Sequence, residues 1–273
     1  MNVRFGLALA SLILLGGIGS ASAADMALKA PPPVVPVWSW TGFYVGGNAG
    51  WVGSSSNNIF NTGTDTGAGG LGASLNVVGS IPQSINDRYS GFIGGAQAGY
   101  NWQMGNWLIG VEADIDGASA KSSVSATFPG NALSVPLSTN YSRELDWLAT
   151  FRGRVGILAS PSVLLYGTGG LAVGETKIGN QFICATCAPP ASTQAGTLAT
   201  SDNTAAGWTA GVGAEWMFSA KWSAKIEYLY VDLGRHSSTI SYFYPAAGTF
   251  NSTLTSSVRD TSNIVRAGIN YHF

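Results

Sequence analysis

Val258-Arg259-Asp260-Thr261-Ser262-Asn263-Ile264-Val265-Arg266-Ala267-Gly268-Ile269-Asn270-Tyr271-His272-Phe273 closes the chain. Val265, Ala267, Ile269, Tyr271 and Phe273 recur at every second residue, and Arg266, Asn270 and His272 fall between them. Successive side chains of a strand point to opposite faces, so this segment has one apolar face and one polar, ionisable face. Lipid on one side and a polar interior on the other satisfy both faces, which is the environment of a transmembrane barrel strand.

The opposite end of the sequence agrees. Arg4 precedes an apolar run from Phe5 to Ile18, and Ala21-Ser22-Ala23 supplies small residues at the positions a signal peptidase accepts. Residues 1–23 therefore read as a signal peptide, with cleavage after Ala23 or Ala24. Residues 24–39 carry Ala30-Pro31-Pro32-Pro33-Val34-Val35-Pro36, a polyproline II spacer that serves as a periplasmic tether. Residues 40–273 form the barrel domain.

Composition narrows the class. The chain has 37 Gly among 273 residues, nine Trp, ten Tyr and only 10% charged residues, a balance that suits strands and lipid interfaces. After the leader no apolar stretch approaches the about 20 residues of a spanning helix. In hydrocarbon every backbone polar group must be paired internally, so strands that cross a membrane have to close into a barrel. The formal charge of −1 lacks the basic surplus that a nucleic-acid partner requires.

Eight alternating runs are legible, at about 40–52, 89–103, 107–121, 143–158, 163–178, 205–218, 222–237 and 258–273. The first puts Phe43, Val45, Ala49 and Trp51 on one face and Tyr44, Gly46, Asn48 and Gly50 on the other. Connections alternate between tight turns (Met104-Gly105-Asn106, Ser160-Pro161-Ser162, Ser219-Ala220-Lys221) and long segments at about 54–88, 122–142, 179–204 and 238–257. Short turns belong on the periplasmic side and long loops outside, which predicts an all-β, eight-stranded antiparallel up-and-down barrel with four long extracellular loops. Trp107, Trp222, Tyr271 and Phe273 would form the periplasmic aromatic girdle, with Trp51, Trp208 and Tyr230 toward the outer rim. A soluble sandwich also uses alternating strands, but does not account for such long runs or such unequal connections.

Most charges fall on one parity within each run. Glu112, Asp114 and Asp116, then Glu144, Asp146, Arg152 and Arg154, then Glu215, then Lys225 and Glu227, and finally Arg266 share the face opposite residues such as Ile109, Leu145, Trp147, Phe151, Val212 and Ile226. An eight-stranded barrel is just wide enough for side chains to fill, so these charges are expected to pair inside it. An ion path through that network is the alternative, because intramembrane ionisable groups often mark pathways.

Other chemistry is sparse. Cys184-Ala185-Thr186-Cys187 lies in an exported segment, where a small structural disulfide is favoured over reduced or intermolecular thiols. A redox role lacks a surrounding βαβ pattern, and zinc lacks a second ligand pair, so neither metal nor cofactor is expected. His236 and Ser238 share a face, as nucleophile and base do in some barrel lipid A deacylases, but no acidic orienter or oxyanion site can be assigned to them.

Several motifs, in this order, resemble one family: Trp40-Thr41-Gly42-Phe43-Tyr44-Val45-Gly46-Gly47 behind a Pro-rich tether, Gly91-Phe92-Ile93-Gly94-Gly95 with Gly99-Tyr100-Asn101-Trp102, Gly110-Val111-Glu112-Ala113-Asp114, Arg152-Gly153-Arg154-Val155-Gly156, and Lys225-Ile226-Glu227-Tyr228-Leu229-Tyr230. They are similar to the small outer-membrane surface antigens of alpha-proteobacteria, porin-like immunogenic proteins related to opacity proteins and to the OmpA transmembrane domain. The resemblance spans the mature chain apart from its loops and the Cys pair. It implies an abundant, non-enzymatic protein of the outer membrane with structural and surface-contact roles, and leaves a small-solute porin as the runner-up. Its expected partners are outer-membrane lipid and lipopolysaccharide, with peptidoglycan or a host surface beyond them. Phe273 at the end of an apolar-alternating strand resembles the signal read by the barrel assembly machinery.

Overall fold

The computed structural model describes residues 38–54, 57–66, 84–128, 137–184, 201–244 and 250–273. The segment that reads as a signal peptide, most of the one that reads as a tether, and the 185–187 part of the cysteine motif lie outside them.

The described chain forms ten strands: β1 Gly42–Ser54, β2 Asn57–Thr66, β3 Ser84–Asp87, β4 Ser90–Met104, β5 Trp107–Phe128, β6 Leu137–Ser160, β7 Val163–Cys184, β8 Ser201–Ser219, β9 Trp222–Tyr244 and β10 Phe250–His272. All pair antiparallel. The order β1-β4-β5-β6-β7-β8-β9-β10 closes on itself through β1 and β10, with Tyr44 opposite His272 and Ser54 opposite Ser262. Eight strands therefore make the ring, as the alternation implies. Closure removes the two edges that an open sheet would leave unpaired.

The sequence reading missed β2 and β3. They pair with each other, and β2 also pairs with the start of β10, Ser257 opposite Phe60 and Asn251 opposite Thr66, inside the span that reads as the first long loop. The other long segments are also shorter than expected, because β5 to β10 continue as paired strands well past the apolar belt. In β6 and β7 the pairing persists to Leu137 and Cys184. The signal for a loop is polar composition, but Ser, Thr and Asn also suit a strand whose outer face stands in water.

The tight connections are two-residue turns at Gly105-Asn106, Pro161-Ser162 and Ala220-Lys221. Gly105 takes φ 63°, the left-handed conformation that such a hairpin turn demands. Around this end Phe43 packs on Tyr100, Tyr100 on Trp102, Trp216 on Phe218, and Trp222 on Tyr271 at 5.2 Å. A second aromatic belt encircles the other end, where Trp51 meets Phe92 at 4.9 Å and Trp208 meets Tyr230 at 5.4 Å. Between the belts the outward side chains are Ile109, Ile115, Phe151, Val155, Leu171, Val212, Ile226, Val265 and Ile269, all at least 45% exposed. Such a surface is stable only in hydrocarbon.

Two irregularities change which way side chains point. Between Leu145 and Trp147 the β6 register shifts against β7, leaving Asp146 as an extra residue. The alternation inverts there: Thr150, Arg152 and Arg154 point in on one side of it, and Tyr141, Arg143 and Leu145 on the other. Leu145, expected to face lipid, is consequently 3% exposed and packs inside the barrel. A second shift between Asp260 and Thr261 of β10 leaves Leu233 of β9 unmatched, followed by Gly234 at φ 87°.

Candidate functional site

The lumen is the place where this sequence concentrates its chemistry, and it is filled in layers. At the turn end Trp40 is fully buried with Leu108, Leu164, Tyr166 and Met217. Its indole nitrogen donates to the Pro161 carbonyl (3.1 Å), its backbone N–H donates to Gln103 Oε1 (3.1 Å), and its ring meets His272 edge-on at 5.8 Å. Trp38 and Trp40, just ahead of β1, thus plug that mouth.

Above the plug lies a charge layer. Glu215 accepts from Arg154 (2.6 Å), Ser223 (2.6 Å) and Asn270 (2.7 Å). Arg154 also donates to the Tyr44 hydroxyl at 2.9 Å, and its guanidinium stacks 4.1 Å over the Tyr166 ring. Tyr44 in turn donates to Glu112 at 2.7 Å. Arg152 reaches Glu112 (2.5 Å), Asp114 (2.6 Å) and Glu227 (3.0 Å), and Lys225 lies 2.9 Å from Glu112. Arg266 joins Asp114 (2.9 Å), Asp116 (2.7 Å) and Glu227 (2.8 Å). Every one of these charged groups is at least 94% buried. A buried charge is tolerable only when paired and hydrogen-bonded, and here most carboxylates face two or more cations.

Glycines make room for this layer. A Cβ on Gly99 would run into the Tyr44 phenol, and one on Gly213 into that of Tyr166. Both tyrosines lie flat across the neighbouring strand only because the wall there carries no side chain.

A second apolar layer covers the charges: Val52, Tyr89, Ile93, Ala120, Leu145, Leu148, Ala172, Leu229, Val231, Leu233 and Ile264. Beyond it Arg143 bonds Asp260 at 2.6 Å and faces Asp87 at 3.5 Å, while Thr176 (2.8 Å) and Tyr89 (2.9 Å) also donate to Asp260. Tyr89 makes a further short contact with Ser262, and Ile59, Ile85, Tyr141, Ile178 and Val258 surround this group.

Of the residues expected in the lumen, Glu112, Asp114, Asp116, Arg152, Arg154, Glu215, Lys225, Glu227 and Arg266 come together. Glu144 and Asp146 do not. Glu144 lies on the outer surface in an exposed pair with Lys121 (3.0 Å), and Asp146, the extra residue of the β6 irregularity, pairs with Lys177 (2.5 Å). The inversion at Asp146 carries Glu144 out and brings Arg143 in, which is why Arg143 was missed. Asp260 shares its parity with Arg266 and was readable from the sequence. Asp87 was hidden by its place in an apparent loop. Trp147, half-buried, donates its indole N–H to Glu175, its register partner on β7, at 2.7 Å.

Cys184 ends β7, but its side chain and all of Cys187 lie outside the described residues, as does the Ser238 side chain. His236 contacts the Leu233 carbonyl at 3.2 Å. Phe273, highly exposed, donates its backbone N–H to the Phe43 carbonyl at 3.0 Å beside the β1–β10 seam.

The family model described as outer membrane protein beta-barrel domain matches residues 10–273. A 31 kDa outer-membrane immunogenic protein of Brucella melitensis is 37% identical over 219 residues, covering 78% of this chain and 81% of the relative. A 22 kDa outer membrane protein of Rhizobium leguminosarum is 29% identical over 202 residues, covering 73% of this chain and 67% of the relative. Among solved structures, the outer membrane protein OprG of Pseudomonas aeruginosa aligns over 88% of this chain and all of its own at 14% identity, with a TM-score of 0.44. With a ring of strands built for lipid, and a family model and relatives that span it, the chain belongs to the outer-membrane protein β-barrel family and resides in the outer membrane.

Proposed function

We propose that this barrel is a non-enzymatic, non-conducting membrane body that carries surface-exposed strands and loops, and so contributes to the envelope as a structural protein and a surface antigen. The observation behind this reading is the filled lumen. The Trp40 plug and the layer around Leu148, Leu229 and Ile264 enclose the charges from both ends. Ions crossing would have to displace both apolar layers and break several buried ion pairs. The paired strands beyond the upper aromatic belt provide a rigid stalk for whatever the loops contact, which in an outer membrane includes lipopolysaccharide and external surfaces. The relatives' designation as immunogenic fits such display.

Surface display is tested by placing a short epitope tag either within 185–200 or in the Gly105-Asn106 turn and labelling intact cells. The tag within 185–200 should bind antibody on intact cells, and the turn tag only after the outer membrane is opened. Labelling of the turn tag on intact cells would overturn the proposal.

A further inference from the structure

The irregularity in β9 places a cation where strand alternation would not. Lys225, Glu227, Leu229, Val231 and Leu233 point into the lumen, so uninterrupted alternation would send Arg235 inward as well. Because Leu233 is an extra residue and Gly234 takes φ 87°, Arg235 instead sits on the outer face, directly opposite Arg259 of β10. Re-aiming a side chain is what such a bulge does. It is held in place by Asp232, which accepts the Gly234 N–H at 2.9 Å and also binds the Arg259 guanidinium at 2.5 Å.

The two guanidinium groups stand just beyond the hydrocarbon. Outward residues of β10 are apolar from Phe273 through Val265 and turn polar at Asn263, a span that matches the about 9 to 11 residues of a tilted membrane strand. Arg259 follows four positions later, about 10 Å further along the membrane normal at ~3.4 Å per residue and ~40° tilt. Its side chain leans back toward the membrane, since Asp232 pairs with Thr261 in the register and not with Arg259. Trp208, opposite Asp232, and Tyr230 form an aromatic floor below.

Like charges set directly opposite on two strands repel. Asp232 pairs with Arg259, whereas Arg235 has no ion pair or hydrogen bond among the described residues. On β5 to β7 the corresponding outward cations differ: Lys121 is engaged by Glu144 and Lys177 by Asp146.

We propose that Arg235 and Arg259 form a binding site for a phosphorylated lipid headgroup of the outer leaflet, with the phosphate bridging the two guanidinium groups and the acyl chains lying along Tyr228, Ile226 and Val265. Guanidinium groups match phosphate oxygens bidentately, and the site's height and apolar skirt select a lipid over a soluble anion.

The full mature protein, refolded in zwitterionic detergent, is titrated with diphosphorylated lipid A, and retained lipid is counted by native mass spectrometry. The Arg235 side chain makes no described hydrogen bond or ion pair, so Arg235→Gln should fold normally, verified by heat-dependent gel mobility, and should weaken retention about fivefold, the effect of one interfacial cation. Arg235→Lys should keep most of the affinity, Lys121→Gln should keep all of it, and lipid A stripped of its phosphates should not be retained. Retention by R235Q equal to that of the unaltered protein, equal loss in K121Q, or equal retention of dephosphorylated lipid A would overturn the proposal. Complete displacement of the lipid by millimolar inorganic phosphate would also overturn it, by making the site one for free anions.

Discussion

Arg152 of β6 donates to Glu227 of β9 at 3.0 Å across the lumen, from positions 75 residues apart in the chain. The same guanidinium holds Glu112 and Asp114, and Glu227 also accepts from Arg266 and from the Tyr166 hydroxyl at 3.0 Å. No neighbouring strands could make this contact. It exists only when the ring is closed at the right register, so the charge layer reports, and helps specify, how the strands are aligned.

Removing Arg152 should therefore be costly. Arg152→Ala leaves Glu112, Asp114 and Glu227 short of a partner in a closed interior, and is expected to destabilise the barrel by about 3 to 5 kcal/mol. Urea unfolding of the refolded protein in vesicles measures this. A loss within the range of ordinary surface substitutions would mean that the lumen is hydrated.

Strand parity makes a second prediction. Phe151 is 59% exposed at mid-belt, next to the buried Thr150 that donates to Asp114 at 2.8 Å. Placing Arg at Phe151 should cost about 2 to 4 kcal/mol in a bilayer. The same substitution measured in short-chain detergent should cost much less, because water reaches the belt there. Equal cost in both media would contradict the lipid-facing assignment.

The inversion at Asp146 is tested by thiol reactivity. In single-cysteine variants lacking Cys184 and Cys187, a cysteine at Glu144 should react quickly with a bulky maleimide and one at Leu145 should be protected. A regular, uninterrupted β6 predicts the reverse order.

How far these features could be read in advance depended on whether strand alternation held. The ring of eight, both aromatic belts and nine of the lumen charges follow from period-two patterning and turn length, because lipid outside and a narrow interior permit no other assignment. Where one inserted residue breaks the period, as at Asp146 and Leu233, every position beyond is inverted, so Glu144 and Leu145 lie on the faces opposite to those expected and Arg143 enters the lumen without a sign in the sequence. Gly234, an isolated glycine within a strand, was a readable sign of the second break. Asp146 carried no comparable sign. Trp40 shares its parity with Tyr44, but its role as a plug depends on Pro161 and Gln103, which only the closed ring brings near.

The filled lumen is tested most directly by single-channel recording of the refolded full mature protein in planar bilayers. The layered interior predicts no steady conductance steps in the unaltered protein, even under sustained voltage. Steady, reproducible steps from a folded and correctly inserted barrel would show a continuous aqueous path past Trp40, Arg152 and Leu229, and would contradict the account.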